Sequence, residues 1–453
     1  MPMNRIISCT TLLPVLPAML LATTPATAQI GPKPNIIVIM VDDLGWGDLS
    51  VNGGKDVRTP HIDRLFSEGV TFKNFYSNST VCSPTRASLL TGCYPDMAGV
   101  PGVIRTHENN SWGYLSTQLP TLPDLFKEAG CHTALIGKWH LGLESPNTPN
   151  ERGFDYFKGF LGDMMDNYWN HLRHGNNYLR LNGEEITADG HATDIFTVWT
   201  ADFLQGRAGK NQPFFLFLSY NAPHFPIQPP DNWYRKVLQR EPGMDTLRAK
   251  NVAFVEHLDD GIGKVMAALK ASGMERNTIV VFTSDNGGHL PSRASNGMLR
   301  GGKQDMYEGG IKVPACMVWP GRITAGSSCE VLALTMDLYP TLLQMAGHPV
   351  KHGIDGISLW PYLNGDKSGS PDRTVFWMRR EGGNYAGMCY YAARRGPWKL
   401  VQNSPWEPLQ LFHMADDPLE TSPMPATTPA YRELRELLSQ HIRRSGSIPW
   451  QKP

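Results

Sequence analysis

Residues 82–92, CSPTRASLLTG, combine a thiol, a proline and a cation in one short segment. Pro84 suits the first turn of a helix, and Gly92 suits its end. Cys82 is therefore expected at a helix N-terminus, where unpaired N–H groups favour an anion. Arg86 lies four residues further on, on the same helical face. The segment predicts a nucleophile beside a fixed cation, with a buried cysteine before an ordinary helix as the alternative.

Two pairs of acidic and amide residues supply oxygen ligands for a metal ion. Asp42 and Asp43 follow one apolar run, and Asp285 and Asn286 follow another. Hard cations such as Ca²⁺, or Mg²⁺, prefer this set, whereas Zn²⁺ is usually bound by His or Cys. Turns rich in Asp and Gly are also common at strand ends, which is the alternative. Two such pairs near one nucleophile predict a single Ca²⁺ site.

The residues that could carry chemistry follow four apolar runs. The strands formed by these runs must position them. These runs suit strands buried on both faces, and they span Asn35–Val41, 132–137, Phe214–Ser219 and Thr278–Ser284. Helical spacing or punctuation covers 60–68, 84–91, 121–129, 193–204 and 251–271. The alternation predicts an α/β sheet. Because ligands lie beyond the carboxyl ends of such strands, the polar clusters that follow them are expected to converge.

The amino-acid composition of the chain changes near residues 364–366. Beyond this point, short strands with turns are predicted at 387–393, 398–401 and 409–414, and a closing helix at 430–443. The pattern indicates a smaller C-terminal subdomain with an antiparallel sheet and a helix. The expected organisation is a signal peptide at 1–28, an α/β catalytic domain at 29–363 and this subdomain at 364–453.

The N-terminus has the pattern of a secretory signal peptide. Arg5 precedes an apolar stretch over 6–22, residues 26–28 (ATA) form an A-x-A cleavage sequence, and the mature chain is expected to begin at Gln29. A short membrane anchor is the alternative, although the stretch is too short and too broken to span a bilayer comfortably. The N-terminus therefore predicts a periplasmic or secreted protein with no membrane span.

The overall composition is that of a globular protein. Hydrophobic residues make up 41% and charged residues 19% of the 453 residues, and the formal net charge is zero. A neutral chain argues against a nucleic-acid partner held by bulk charge. A local basic site can still hold an anionic substrate, so no nucleic-acid partner is expected and small anions remain open.

The segment at 82–92 resembles the sulfatase signature, in which the cysteine of C-x-P-x-R, followed by T-G, is oxidised to Cα-formylglycine (3-oxoalanine). The resemblance extends from residues 34–36 to 416–418. It implies a type I, formylglycine-dependent sulfatase with the alkaline-phosphatase-like fold, a large central, mostly parallel mixed sheet flanked by helices. It also implies a formylglycine-generating maturation enzyme as a partner. The pattern is similar to bacterial exported carbohydrate sulfatases and arylsulfatase A-like enzymes.

Family roles are carried over position by position. The residues that match the calcium ligands are Asp42, Asp43, Asp285, Asn286 and the modified Cys82. The K-x-H, P-H-x-P and G-G-K motifs are matched by Lys138, His140, His224 and Lys303.

The resemblance also implies a role for each catalytic side chain. A hydroxyl of the hydrated aldehyde attacks sulfur, while Lys138, Lys303 and Ca²⁺ neutralise the sulfate oxygens. His224 is expected to protonate the leaving alcohol, and His140 to accept a proton from the second hydroxyl. Arg86 is expected to hold the hydrated aldehyde.

An insert between residues 153 and 194 is rich in rings and polar groups that suit a sulfated sugar. Its candidate substrate-binding residues are Asp163, Asp166, Asn167, Tyr168, Trp169, His171, Arg173, His174 and His191. Three further candidates near the pocket are Arg105, His107 and His289. A surface loop that merely packs is the alternative. Together with export, the insert predicts an exo-acting carbohydrate sulfatase.

Three other functions remain open at this point. One is an arylsulfatase of broad specificity. Another is a phosphatase or phosphodiesterase of the same superfamily, which would need two zinc ions, extra histidine ligands and a Ser or Thr nucleophile; the oxygen-rich set with Cys82 argues against it. The last is a catalytically inactive protein that binds sulfated glycans, against which the intact nucleophile motif argues.

Overall fold

The computed structural model describes Met1 and residues 33–107, 111–365, 371–382 and 388–452. The expected signal peptide at 1–28 therefore lies, Met1 apart, outside the described residues. Within the described ranges, none of the helices combines the length and apolar character that crossing a membrane requires.

Strands and helices alternate along most of the described chain. The strands are β1 (Asn35–Val41), β2 (Val70–Phe72), β3 (Phe75–Tyr76), β4 (His132–Lys138), β5 (Tyr156–Phe160), β6 (Leu172–Arg173), β7 (Asn176–Asn177), β8 (Leu179–Leu181), β9 (Glu184–Glu185), β10 (Phe214–Ser219), β11 (Thr278–Ser284), β12 (Ala315–Val318), β13 (Ser327–Cys329), β14 (Ala333–Leu334), β15 (Thr374–Glu381), β16 (Met388–Arg395), β17 (Trp398–Gln402) and β18 (Gln410–His413). The helices are α1 (Pro60–Glu68), α2 (Cys82–Thr91), α3 (Leu122–Glu128), α4 (Ala192–Arg207), α5 (Asp231–Arg240), α6 (Thr246–Ala271), α7 (Glu308–Ile311), α8 (Leu338–Met345), α9 (Trp360–Leu363) and α10 (Pro429–Ser445).

A ten-stranded mixed sheet is the centre of the fold. Its strand order is β13-β2-β12-β11-β1-β10-β4-β5-β8-β9. The five strands β11, β1, β10, β4 and β5 are mutually parallel, whereas β12 and β8 run antiparallel to their neighbours. This mostly parallel mixed sheet with flanking helices confirms the predicted fold class. It also brings the carboxyl ends of β1, β4, β10 and β11 to one edge.

Both faces of the sheet are covered by apolar layers. Along β1, Ile36 and Val38 pack in one layer with residues of α2, α3 and α8, while Ile37 and Ile39 pack in the other with residues of α1, α4 and α6. Alternate side chains of a strand point to opposite faces. A strand buried on both faces therefore has a continuous run of apolar residues in its sequence. This is why such strands could be predicted from the sequence.

The predicted elements are present, with shifted ends. The predicted helix at 251–271 begins earlier, at Thr246, and α2 begins at Cys82 itself. Many of the shorter elements were not predicted, among them α5, β12 and the longer strand β15. α5 buries only Val237, and β12 has four residues, so neither leaves a strong periodic signal.

The C-terminal part forms a four-stranded antiparallel sheet in the order β15-β16-β17-β18, against which α10 packs. Leu434 and Leu438 of α10 meet Leu400 and Leu411 of the sheet. This confirms the smaller antiparallel sheet with a helix. Lys33–Pro453 forms one compact unit, and the boundary at 363/364 stays a prediction.

A buried network of charges joins this sheet to the rest of the fold. Lys399 of β17 donates to Glu308 Oε1 at 2.9 Å and to Glu420 Oε1 at 2.7 Å. The Tyr76 hydroxyl donates to Glu308 Oε2 at 2.8 Å, and Arg394 donates to that hydroxyl. Burial would raise the pKa of Glu308, but Lys399 and Arg394 lower it to about 2. The network fixes the segment that begins at Glu308 on the C-terminal sheet.

We expect Lys399→Met to lower the free energy of unfolding by about 3–5 kcal/mol, because it leaves two buried carboxylates without their cation. Chemical denaturation followed by circular dichroism measures the loss. Lys264→Met is the control, since Lys264 pairs with Asp260 at the surface with its side chain 59% exposed, and it should cost about 0–1 kcal/mol. Equal losses in the two variants would contradict the prediction.

Candidate active site

The helix that begins at Cys82 lies wholly inside the protein. Each of its ten residues is buried, and its last turn ends at Gly92, whose φ of 69° is left-handed. The Gly92 N–H donates to the Ser88 carbonyl at 2.9 Å. Glycine adopts this conformation without strain, which is why it ends the helix. The sequence therefore places the Cys82 thiol at a buried helix N-terminus.

Four oxygen-bearing side chains meet at the ends of two neighbouring strands. Because β1 and β11 pair in parallel, Asp42 and Asp43 lie beside Asp285 and Asn286. The Asp43 N–H donates to Asp285 Oδ1 at 3.2 Å, and Asn286 Nδ2 donates to Asp43 Oδ1 at 2.8 Å. Asp43 has a φ of 65°, a strained value for a residue other than glycine. The two strands hold this cluster together.

The cluster fits a hard cation. The Asn286 Oδ1 atom is buried and has no hydrogen-bond partner among the described residues. Burial and the nearby Asp42 raise the pKa of Asp285 to about 7, although Arg86 opposes the rise. Crowded carboxylates and an unpartnered amide oxygen in a buried site are the features that a bound cation would satisfy. The residues present therefore suit Ca²⁺ by donor type.

Two buried cations, Lys138 and Arg86, balance these carboxylates. Lys138 Nζ lies 2.5 Å from Asp42 Oδ2, and Arg86 donates to Asp285 Oδ2 at 2.7 Å and to the Ser219 hydroxyl. Burial would by itself raise the pKa of Asp42, but Lys138, with smaller contributions from His224 and Arg86, lowers it well below its usual value. Lys138 and Arg86 have side chains with no exposed surface. The site is thus a dense, buried arrangement of opposite charges.

Cys82 and Lys303 face each other across this cluster. The Cys82 thiol donates to Asp42 Oδ1 at 3.3 Å, and Lys303 Nζ lies 3.6 Å from Sγ and 2.8 Å from Asp43 Oδ2. Burial and Asp42 raise the pKa of the thiol well above its usual value, against the effect of Lys303. The unmodified cysteine is therefore a protonated thiol near neutral pH, and a thiol is a poor nucleophile.

His140 presents one ring nitrogen to the site. Its Nε2 lies 2.7 Å from the Ile104 carbonyl, which can only accept, so Nε2 carries the proton. Its Nδ1 is buried and has no partner within the described residues. Burial, Lys138 and Arg86 lower the pKa of His140 well below its usual value. The ring therefore offers an unprotonated Nδ1, as a proton acceptor must.

A hydrogen bond joins the side chains of His224 and Lys303. Its Nδ1 donates to the Phe225 carbonyl at 2.6 Å, and its Nε2 accepts from Lys303 Nζ at 3.0 Å. Burial and Lys303 lower the pKa of His224 to about 4. In this arrangement the proton between the two side chains is held by Lys303.

These groups open into a cavity of about 270 Å³. Its lining residues are Asp43, Val81, Cys82, Val103, Arg105, His140, Asp163, Met164, Arg173, His224, Phe225, His289, Lys303, Gln304 and Arg379. Five predicted residues thus line one cavity, although Asp43 and Lys303 are 260 positions apart: Asp43, Cys82, His140, His224 and Lys303. The other five are fully buried and are not part of the lining: Asp42, Arg86, Lys138, Asp285 and Asn286.

The residues predicted to bind substrate are divided between the cavity and the surrounding fold. Arg105 and His289 line the cavity, as do Asp163 and Arg173 of the insert. Other members serve the loop itself: Asp166 accepts from Arg173 at 2.6 Å, and Asn167 accepts from the backbone N–H of Trp169. His107 and Tyr168 are not in the lining; the Tyr168 hydroxyl donates to the His224 carbonyl, and the His107 ring packs on His174.

His171 and His191 use their rings within the fold. His171 Nε2 lies 3.0 Å from the Gly190 carbonyl. His191 Nε2 lies 3.0 Å from the Gln228 carbonyl, and its Nδ1 accepts from Thr193 N–H at the start of α4. Both nitrogens of His191 are thereby occupied. The structure places these two histidines outside the cavity.

Several cavity residues were not found from the sequence. They are Val81, Val103, Met164, Phe225, Gln304 and Arg379. Arg379 comes from β15 of the C-terminal sheet, and its guanidinium donates to Glu381 and to the Gln304 carbonyl. The run TVFWM, rich in β-branched and aromatic residues, was a usable strand signal. Nothing local in that pattern indicates which arginine reaches the cavity.

Two family models match the chain. The Sulfatase model matches residues 34–348, and the model for the C-terminal part of N-sulphoglucosamine sulphohydrolase matches residues 302–446. The N-acetylgalactosamine-6-sulfatase of Mus musculus is 31% identical over 90% of this chain and 85% of its own length. The uncharacterized sulfatase YdeN of Escherichia coli (strain K12) is 33% identical over 78% of this chain and 70% of its own.

Solved structures show the same similarity. Ps i-CgsB in complex with k-i-k-neocarrahexaose has a TM-score of 0.82 and 32% identity, covering 93% of this chain and 95% of that one. BT33336S-sulf, from work on the metabolism of multiple glycosaminoglycans by Bacteroides thetaiotaomicron, has a TM-score of 0.74 and 26% identity, covering 91% and 100%. Sequence and fold point to the same group of proteins.

Proposed function

Because the chain belongs to the sulfatase family and is therefore a sulfuric ester hydrolase, we propose that it removes sulfate from a sulfated carbohydrate with a formylglycine formed at Cys82 and one bound Ca²⁺. The observation that carries the proposal is the position of Cys82, which lines the cavity and contacts both Asp42 and Lys303. We propose that the enzyme acts at the ends of oligosaccharides or polysaccharide fragments, because the cavity is small.

The carbohydrate assignment is supported by the relatives. N-acetylgalactosamine-6-sulfatase is named for a sulfated amino sugar, and Ps i-CgsB was solved with a neocarrahexaose. Each of them exceeds 30% identity with this chain over most of both sequences. Polar and charged side chains of the cavity lining, such as Arg105, Asp163, Arg173 and His289, also suit a sugar bearing hydroxyls.

The residues that would hold Ca²⁺ are Asp42, Asp43, Asp285 and Asn286, together with the modified side chain at position 82. When present, the metal ion stabilises negative charge on oxygen, and the hydrated formylglycine supplies an oxygen nucleophile in place of sulfur. Formation of the formylglycine requires a formylglycine-generating enzyme as a maturation partner. Arg86, held by Asp285 and Ser219, is placed to orient the side chain at position 82.

The remaining side chains bind charge and move protons. Lys138 and Lys303 are fixed cations that neutralise the sulfate oxygens as negative charge builds up. His140 accepts a proton at Nδ1, its unpartnered nitrogen. His224 is assigned to protonate the leaving alcohol through Nε2, the nitrogen that Lys303 Nζ contacts at 3.0 Å.

We expect removal of Ca²⁺ by a chelator to abolish sulfate release and to lower the melting temperature of the protein. An ion that binds only to the folded state stabilises that state. Adding Ca²⁺ back should restore both properties. Zn²⁺ should restore neither, since the donors are oxygen atoms. Activity that survives exhaustive chelation, or that returns with Zn²⁺ but not with Ca²⁺, would contradict the proposed metal.

The function is tested with purified protein that has been co-expressed with a formylglycine-generating enzyme. Free sulfate is measured with position-defined sulfated mono- and oligosaccharides, aryl sulfates and phosphate esters. Sulfate released from sugars supports the proposal. Hydrolysis of aryl sulfates alone would make the enzyme an arylsulfatase of broad specificity. Release of phosphate in preference to sulfate would indicate a phosphatase or phosphodiesterase.

We further propose that residues 1–28 form a signal peptide and that the enzyme acts in the periplasm or outside the cell. We also propose that residues 29–363 form a catalytic domain and that residues 364–453 form its C-terminal subdomain. Sequencing the N-terminus of the mature protein tests the first point. A first residue of Gln29 supports cleavage after Ala28, and a retained Met1 on exported protein would contradict it.

A further inference from the structure

We propose that the ring of Phe225 stacks on a C–H face of the sugar ring that carries the cleaved sulfate, so that the cavity selects a cyclic sugar over an open-chain alcohol. Phe225 lines the cavity and is nevertheless 50% exposed. An apolar ring left open in a cavity gains free energy when a ligand covers it. This inference rests on the proposed sulfatase function of the same cavity and names the part of the substrate that Phe225 recognises.

The cavity lining offers a single flat apolar surface. Among the lining residues that the structure describes, Phe225 alone is a Phe, Tyr or Trp. The other apolar lining residues, Val81, Val103 and Met164, have no ring, and most of the remainder are polar or charged. A pyranose carries hydroxyls around its rim and C–H groups on its faces. One aromatic ring among polar side chains therefore matches both parts of a sugar.

The backbone that carries Phe225 is held in place by hydrogen bonds. The Phe225 carbonyl accepts from His224 Nδ1 at 2.6 Å, and the His224 N–H donates to the Asn221 carbonyl at 3.0 Å. The Tyr168 hydroxyl lies 2.8 Å from the Asn221 carbonyl and 2.9 Å from the His224 carbonyl. The turn is therefore ordered before substrate binds, which lowers the entropic cost of stacking.

Phe225 lies next to the group that acts on the leaving alcohol. His224 is the residue assigned to protonate that alcohol, and Phe225 directly follows it in the chain. A proton donor must come within about 3 Å of the oxygen that it protonates, and this oxygen is bonded to the sugar. The Ala222 carbonyl of the same turn accepts from the Asp42 N–H at 3.1 Å. The turn thus places the Phe225 ring on the side of the cavity where the sugar lies.

An exposed apolar side chain does not by itself indicate a site, because single ones are common on protein surfaces. Leu290 is such a case. It is 45% exposed and directly follows the cavity residue His289, but it does not belong to the lining. Phe225 differs from Leu290 in its position in the lining and in its flat ring. Leu290 is therefore a matched control for the exposed surface alone.

The test compares kcat/KM for two substrates that differ in ring closure. One is the smallest sulfated pyranose, free or at the end of an oligosaccharide, that the formylglycine-bearing enzyme hydrolyses. In the other, the sulfated residue is an open-chain polyol with its sulfate on the corresponding carbon. Wild-type enzyme should prefer the pyranose by roughly ten-fold, the value of an aromatic contact and the apolar surface that it covers. The preference should persist at high ionic strength because the contact is apolar.

Phe225→Ala should reduce this preference to within a few-fold of one, mainly by raising KM for the pyranose. Phe225→Tyr should keep the preference, and Phe225→Leu should lose most of it, because leucine is apolar but has no flat face. Leu290→Ala should behave as wild type. Thermal melts of the variants should stay close to that of wild type, since each change removes or alters a side chain that is about half exposed.

The proposal is overturned if wild type treats the two substrates alike, or if Phe225→Ala or Phe225→Leu keeps the full preference. It is also overturned if Phe225→Ala lowers kcat/KM equally for both substrates, since that result indicates a structural part for the ring. If wild type releases sulfate from no sugar while hydrolysing another ester, the proposed function fails instead.

Discussion

Replacing Cys82 by alanine or serine is expected to reduce sulfate release by about 10⁴-fold or more while leaving the fold intact. The thiol donates to Asp42 at 3.3 Å and accepts from Lys303 at 3.6 Å, and because hydrogen bonds of a thiol are weak its loss removes little from the buried cluster. What disappears is the thiol group that the maturation enzyme oxidises, with loss of sulfur, to leave the aldehyde at Cβ. Release of sulfate per mole of enzyme and a thermal melt of each variant measure the two expectations.

Serine is the more informative replacement, because it keeps a hydroxyl at the helix N-terminus. A serine ester of sulfate would need attack by water at sulfur, whereas a hydrated aldehyde can expel sulfate by breaking its own C–O bond. Full activity of Cys82→Ser, made in cells without a serine-oxidising enzyme, would refute the proposed nucleophile. Cys316→Ala, a buried free cysteine on β12 outside the cavity, serves as the control and should retain turnover.

Lys303→Met is expected to lower kcat/KM by roughly 10²- to 10³-fold, the usual effect of removing one group that stabilises developing charge. Lys303 Nζ contacts three parts of the site at once: Asp43 at 2.8 Å, His224 at 3.0 Å and Cys82 Sγ at 3.6 Å. The variant removes a cation for sulfate and also the N–H group that donates to His224 Nε2. Most of the loss should therefore appear in kcat. Steady-state kinetics with the preferred substrate measures it.

Lys312→Met provides a matched control for Lys303. Lys312 belongs to the same part of the chain, and its ammonium lies 5.2 Å from the ring centre of Trp46, outside the cavity lining. We expect its kcat/KM to stay within a few-fold of wild type, since it touches no reacting group. If Lys303→Met retained activity within about ten-fold of wild type, its assigned part in charge stabilisation would be wrong.

The sequence determined the central sheet and the residues at its edge. The four buried strands were predicted with their ends in place or one residue away, because strands covered on both faces leave unbroken apolar runs. Parallel order then brings their carboxyl ends to one edge, so the sequence by itself predicts that Asp42, Lys138, His224 and Asp285 lie close together. The helix at Cys82 followed from Pro84 and Gly92 by local rules alone.

The tertiary structure decided which side chains of the loops reach the cavity and which proton each histidine carries. In the insert, which is rich in rings and charges, Arg173 lines the cavity, whereas His191 caps the N-terminus of α4. The direction of a side chain in a loop depends on backbone torsions and on distant partners. The tautomer of His140 is set by the Ile104 carbonyl, 36 positions away. Arg379 and the Lys399–Glu308 pair depend on contacts between remote segments of the chain, and no local pattern contains that information.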